Sequence, residues 1–186
     1  MKTRLYFVLI AIMVIPILHF SSCNKVKKIT AFDVLYTLPT TISTFTPSAT
    51  KSGEELLYSG SIEANLDSIL HANGFDPGVV GNTQFIECTV SIVQPSTVTF
   101  GWLKSARGEI SDNPEFLPAR EVGTVVNNDP EATTVVLIVN NTNIRPYLGT
   151  TFFYFRVFGE LNGPVPADWI DLAINGKLLM HLEPLN

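Results

Sequence analysis

The chain has 186 residues, with 12 Lys+Arg against 17 Asp+Glu, a net charge of −5, and 46% hydrophobic residues. That length and apolar share suffice for one ordinary domain with a full core. The basic residues are scattered apart from Lys25, Lys27 and Lys28, and an acidic chain without a basic patch lacks the footprint of a nucleic-acid binder.

The N-terminus carries Lys2 and Arg4, then residues 5–18 run almost without a polar atom. A basic tip, an apolar stretch of this length and small residues at its end predict a secretory signal. The run falls short of the roughly 20 apolar residues that cross a bilayer, contains Pro16 and ends at His19. Phe20-Ser21-Ser22-Cys23 then resembles a bacterial lipobox. Phe20 stands where Leu is usual, as in the looser lipoboxes of Bacteroidota. In that family the cysteine is diacylated on sulfur, the peptide is cut before it, and the new amine is acylated. The resemblance implies a signal peptide over residues 1–22, lipidation at Cys23 and a tether over residues 23–30. The alternative is a plain secreted protein with a cysteine beside its cleavage site. Each buried CH₂ contributes about 0.8 kcal/mol, so several acyl chains hold a protein at a membrane firmly. A lipidated Cys23 leaves Cys88 without a disulfide partner, which excludes a disulfide scaffold. The basic stretch Asn24-Lys25-Val26-Lys27-Lys28 differs from the acidic start typical of Bacteroidota surface lipoproteins. The expected place is therefore the outer membrane, with the anchor facing the periplasm.

Residues 31–186 read as strands. Phe32, Val34 and Tyr36 alternate with Asp33, Leu35 and Thr37, the period of a half-buried strand. Residues 37–55 are rich in Thr, Ser and Pro and predict an edge strand and loop. Alternation resumes over residues 56–64, with Leu56, Tyr58, Ile62 and Ala64 on one side. Leu66, Ile69 and Leu70 stand at helical spacing, with Asn65 as cap and Asn73-Gly74 as stop. Residues 84–93 form a strong strand pattern that sends Ile86, Cys88, Val90 and Ile92 to the core and ends at Pro95. Residues 97–110 predict a strand, a tight bend at Gly101-Trp102 and a second strand. Residues 133–139 and 151–158 are apolar on both faces, the pattern of central strands covered on both sides. The alternative for such a strand is one face given to a partner protein. "NNTNIRPYLG" between them allows a helical turn. For residues 170–182 the Asn175-Gly176 pair suggests a hairpin. A straight strand instead puts Ile170, Leu172, Ile174, Leu178, Met180 and Leu182 on one face, and that clean pattern prevails, with Gly176 at a bulge or bend.

Many short strands with turn signals at roughly ten-residue spacing and one short helix predict an all-β, antiparallel β-sandwich, immunoglobulin-like or jelly-roll-like. The order "L-x-S-I-L…GFDP…TFGWLKSARGEI…NIRPYL…TFFYFRVFGEL" resembles uncharacterised β-sandwich lipoproteins of Bacteroidota. That resemblance implies an outer-membrane lipoprotein and no assigned reaction.

Chemistry-bearing residues are few. Glu63, Glu87, Glu109, Glu160, Asp168 and Asp171 sit on or beside strands, where two carboxylates across a substrate would serve a glycosidase. Alternating polar positions generate the same residues on any solvated sheet face. After the signal only His71 and His181 remain, and no zinc-ligand spacing exists. "YSGSI" lacks the G-x-S-x-G elbow of serine hydrolases, and Cys88 lies on an apolar face. Asp112, Asn113 and Glu115, or Asn127, Asn128, Asp129 and Glu131, offer oxygen ligands for calcium, although Pro-containing turns account for the same residues. Trp102, Tyr147, Tyr154 and Trp169 offer flat faces for a glycan or peptide, against core packing as the ordinary use of aromatics. The sequence therefore points to a lipid-anchored envelope protein with a non-catalytic binding or assembly role and no cofactor. Its expected partners are the membrane, through the lipid, and a protein or glycan. An envelope hydrolase acting on carbohydrate and an adhesin-like subunit are the alternatives.

Overall fold

The computed structural model describes residues 31–48, 53–72, 74–148 and 151–183. The expected signal peptide, Cys23 and the lysines of the tether lie outside these residues. In chain order the strands are β1 (Phe32–Thr37), β2 (Thr41–Phe45), β3 (Gly53–Glu63), β4 (Val80–Gln94) and β5 (Leu103–Ser111). They continue with β6 (Arg120–Val126), β7 (Thr134–Val136), β8 (Ile138–Val139), β9 (Phe152–Leu161) and β10 (Ile170–Leu182). One helix, α1 (Leu66–Ala72), follows β3. Every strand pairing is antiparallel.

Two sheets stack into the expected β-sandwich. In the first sheet β10 lies beside β4, β7 extends the β4 side, and β1 and β2 share the free edge of β10. β1 pairs with the C-terminal half of β10 and β2 with its N-terminal half, so together they act as one edge strand broken at Leu38-Pro39. The second sheet runs β3-β9-β5-β6-β8. Between them Phe85 meets Phe153 and Phe155 at centroid distances of 6.4 and 6.0 Å, and Leu178, Met180 and Ile110 are fully buried.

The long β10 settles the register question. It runs unbroken through Asn175-Gly176, and its even-numbered side chains from Ile170 to Leu182 are buried. The bulges lie opposite, in β4, where the pairing steps over Gly81, Ile86 and Val93. Gly176 answers a different need. A Cβ there would stand 3.0 Å from both Leu38 Cδ1 and Phe85 Cε1, so the edge strand and the core phenylalanine close directly over the backbone.

Those bulges correct two inward assignments. The extra residue at Ile86 breaks strict alternation, turning Phe85 and Cys88 into the core and Ile86 out to solvent. A second bulge, between Leu56 and Tyr58, buries Leu57 and exposes Leu56. A larger correction concerns residues 133–139, expected in the middle of a sheet. They form two short edge strands, because the chain changes sheets at Leu137: β7 pairs with β4 and β8 with β6. Leu137 is buried at the corner, while Val136 and Ile138 on either side are exposed. Apolarity on both sides here reflects a strand that turns from one sheet to the other. Residues 97–100 form no strand; a single 3-10 turn, Phe100–Trp102, leads into β5. The turn expected near Tyr147 is present at Arg145–Tyr147.

The helix ends as predicted. Gly74 has φ 78°, its N–H donates to His71, and the Phe75 N–H donates to the Leu70 carbonyl, a pattern that satisfies the last free carbonyls. At the start Asn65 itself is left-handed, with φ 46°. Its carbonyl accepts from the Ile69 N–H, and its side-chain amide donates to Glu63.

Cys88 sits in this core, and burial pushes its thiol up to about 12. Because the thiolate is the reactive form, iodoacetamide at pH 8 is expected to leave Cys88 unmodified in the folded protein and to alkylate it in urea. Rapid modification in native buffer would show that β4 and β10 part readily.

Candidate functional site

The outward face of the second sheet concentrates the chain's strand-borne charge and exposed aromatics. The register sets its side chains in rows across the strands. One row reads Leu56, Phe158, Arg107, Thr124 and Ile138, one residue from each of the five strands. Beside it on one side lie Glu54, Glu160, Ser105 and Val126. On the other side lie Ser59, Arg156 and Glu109. The period of two along β5 and β9 brings R-x-E (Arg107, Glu109) against R-x-F-x-E (Arg156, Phe158, Glu160).

The charged groups hold one another. Arg107 donates to both Glu54 oxygens, Nε at 2.7 Å and Nη2 at 3.0 Å, and its Nη1 donates to Glu109. Glu109 also accepts from Arg156 Nε at 2.7 Å. Glu160 accepts from Lys104 Nζ at 2.7 Å and from Ser105 Oγ at 3.1 Å. The guanidinium carbons of Arg107 and Arg156 stand 4.2 and 4.9 Å from the Phe158 ring centroid, and Arg156 also lies 4.3 Å over Phe116. Cation–π contacts of this kind contribute about 0.5–1 kcal/mol each at exposed sites. The hydrogen bond from Arg107 holds the Glu54 carboxyl below the usual carboxylate range, and those from Lys104 and Ser105 do the same for Glu160. A shallow cleft of about 320 Å³ opens here between Glu54, Arg107, Thr124, Phe158 and Glu160.

At one end of the sandwich a second hollow, about 260 Å³, lies between Thr99, Trp102, Asn162, Pro164 and Pro166. Trp102 itself is buried, stacked on Phe45 at 5.9 Å and tilted against Phe100 at 5.6 Å. Of the other aromatics considered, Tyr147 packs against the core, Trp169 is half-exposed just before β10, and Tyr154 joins Phe152 on the outward face of β9.

The carboxylates considered for catalysis are distributed. Glu87 pairs with Lys177 at 2.6 Å and Asp171 accepts from Thr44 at 2.6 Å, both on the first sheet. Glu63 receives Asn65 beside α1, and Asp168 stands exposed in the loop before β10. Only Glu109 and Glu160 of that set join the face described above. The two oxygen-rich turns use their side chains internally. Asn113 donates to Asp112 at 2.7 Å and to the Leu117 carbonyl at 2.8 Å, and it accepts from the Leu117 N–H. Asn127 donates to the carbonyls of Phe100 and Leu103 and accepts from the Asp129 N–H, while Asp129 accepts from the Glu131 N–H. Among the described residues no group of three or more His, Cys, Asp or Glu stands close enough to hold a metal ion. Among them, too, no helix is long and apolar enough to cross a membrane.

Glu54, Arg107 and Arg156 escape a search for catalytic carboxylates. Glu54 falls in a stretch read as loop, and the arginines matter only once β3, β5 and β9 are neighbours. The alternation of Arg, Phe and Glu along residues 156–160 is the one local signal that marks them.

No family model matches the chain, and no curated protein does. Among solved structures it is similar to a chain of infectious bursal disease virus, Gx strain, at 13% identity and a TM-score of 0.40. That match covers 82% of this chain, which spans about a third of the viral chain's length, 34%. It is similar to Desmodium yellow mottle tymovirus at 9% identity and a TM-score of 0.26, covering 81% of this chain and 89% of that one. A structure described as showing promiscuous specificity of carbohydrate-binding modules from the β-sandwich superfamily matches at 10% identity and a TM-score of 0.29. It covers 82% of this chain and 57% of that one. Likenesses this distant say nothing of what this chain binds.

Proposed function

We propose that the chain is a lipid-anchored β-sandwich of the cell envelope with a non-catalytic binding or assembly role, held by Cys23 to the outer membrane on its periplasmic side. The observation that carries the binding role is the outward face of the second sheet. Arginine, phenylalanine and tyrosine are the residues that anchor protein contacts, and here they stand on rigid strands in a fixed arrangement.

The hydrolase alternative has its best candidate pair on the same face. Glu54 and Glu160 are register partners on neighbouring strands and both line the cleft. A glycosidase needs one carboxyl with a raised pKa to protonate the leaving group. Arg107 and Lys104 act in the opposite direction on Glu54 and Glu160, keeping both ionised at neutral pH. The geometry therefore favours a structural ion-pair network over an acid–base pair.

The anchor reading agrees with where the chain enters the domain. Phe32 opens β1 at the end of the sandwich that holds α1, nine residues after Cys23, a reach of at most about 30 Å. β10 has thirteen residues, about 40 Å at 3.3 Å each, so the hollow beside Trp102 lies at the end remote from the anchor. Replacing Cys23 by Ser is expected to shift the protein from the membrane fraction to the soluble fraction of lysed cells. Retention in the membrane fraction would defeat the anchor. Release of reducing sugar from envelope polysaccharide, lost in Glu54→Gln, would defeat the non-catalytic reading.

A further inference from the structure

We infer that the outward face of the second sheet docks a second copy of this chain, an inference that rests on the binding or assembly role and gives that role a partner. Three observations converge on it. The first is charge. The described residues hold all 17 carboxylates of the chain but only six Lys+Arg, namely Lys104, Arg107, Arg120, Arg145, Arg156 and Lys177. Three of these six occupy the centre of this face, each in contact with Glu54, Glu109 or Glu160. Elsewhere the acid excess repels a like-charged copy, whereas this balanced centre admits one.

The second observation is area. Five strands at about 4.8 Å spacing and ten residues at about 3.3 Å rise give a face of about 800 Å². That equals the share of each partner in a standard stable interface. The third is composition. Phe158 and Tyr154 stand with two arginines at the middle, and exposed apolar side chains flank them: Leu56 at 49%, Phe152 at 49%, Val126 at 65% and Ile138 at 76% exposure. Aromatic residues and arginine are enriched in interfaces relative to other surface.

The register also supplies self-complementarity. A twofold axis along the Leu56–Ile138 row sets each residue of that row near its own counterpart. It lays the acidic pair Glu54 and Glu160 of one copy over the row that carries Arg156 in the other. Such an isologous contact closes at two copies.

The experiment uses the full chain extracted in mild detergent. Light scattering coupled to size exclusion is expected to give twice the chain mass, and Ile138→Glu is expected to give a monomer with an unchanged circular dichroism spectrum. In addition, Ile138→Cys should cross-link to a dimer with a short bismaleimide. Leu35→Cys, on the outward face of the first sheet, should not, with the wild-type chain as control for Cys23. A monomer throughout the micromolar range, a dimer that survives Ile138→Glu, or equal cross-linking from Leu35→Cys would each overturn the inference. A monomer still found with membranes overturns the dimer and leaves the anchor standing; a dimer found in the soluble fraction does the reverse.

Discussion

Phe155→Ala is expected to lower the unfolding free energy by about 3–5 kcal/mol, the cost of removing a large aromatic from a packed core. Phe155 is 1% exposed and lies on β9, the strand between β3 and β5. It joins the sheets through Phe85, 6.0 Å away on β4, and meets Tyr58 of its own sheet at 6.4 Å. Each aromatic pair adds about 0.5–1.5 kcal/mol beyond the area buried. A domain of this size is stable by about 5–15 kcal/mol, so the substitution removes a large part of the total. Phe152→Ala, three residues earlier but half-exposed on the outward face, is expected to cost less than about 1 kcal/mol. Urea unfolding of the two variants makes the comparison, with the midpoint moving and the slope unchanged. Equal losses would mean that the outward face is as tightly packed as the core.

Glu109→Ala is expected to cost about 2–4 kcal/mol, well above what a surface ion pair contributes. Glu109 retains only 13% side-chain exposure and accepts from both Arg107 and Arg156. Removing it leaves two guanidiniums beside one ring, with Glu54 as the remaining carboxylate in reach. Breaking a desolvated pair is costly because an unmatched charge stays behind. The Glu87–Lys177 pair on the first sheet is the control. Both partners are over 40% exposed, and Glu87→Ala should cost at most about 1 kcal/mol, since water and salt screen such pairs. The same urea measurement distinguishes them. If Glu109→Ala falls within the range of Glu87→Ala, the arginine–aromatic arrangement is a solvated surface and not a rigid platform. Arg156 and Phe158 would then lose the preorganisation that the docking face relies on.

Much of the fold was legible in the sequence, because period-two alternation reports burial directly. β1, β4, β9 and β10, the short helix with its Gly74 stop, and the inward Cys88 all follow from side-chain order. The reading failed where a single extra residue changes sides. Nothing local marks Leu57 or Ile86 as bulged, since a bulge arises from the mismatch between a strand and its partner. It failed again at Leu137, where an apolar run that looked central is a corner between two sheets. The candidate site was legible only in part. Phe152, Tyr154 and Phe158 stood out as an aromatic strand, but the role of Arg107 depends on β3, β5 and β9 lying side by side.

By itself, the sequence determined the address signal at Cys23 as an expectation, the all-β character, and the straight course of β10 through Asn175-Gly176. These follow from local chemistry: hydropathy, alternation and the geometry of turns. Tertiary structure alone decided which charges meet. Glu54, Glu109 and Arg156 are 47 residues or more from the partners that hold them across the strands, and antiparallel pairing brings them within hydrogen-bonding distance. The binding face exists because non-local register, which one strand cannot specify, lines up one residue from each of five strands.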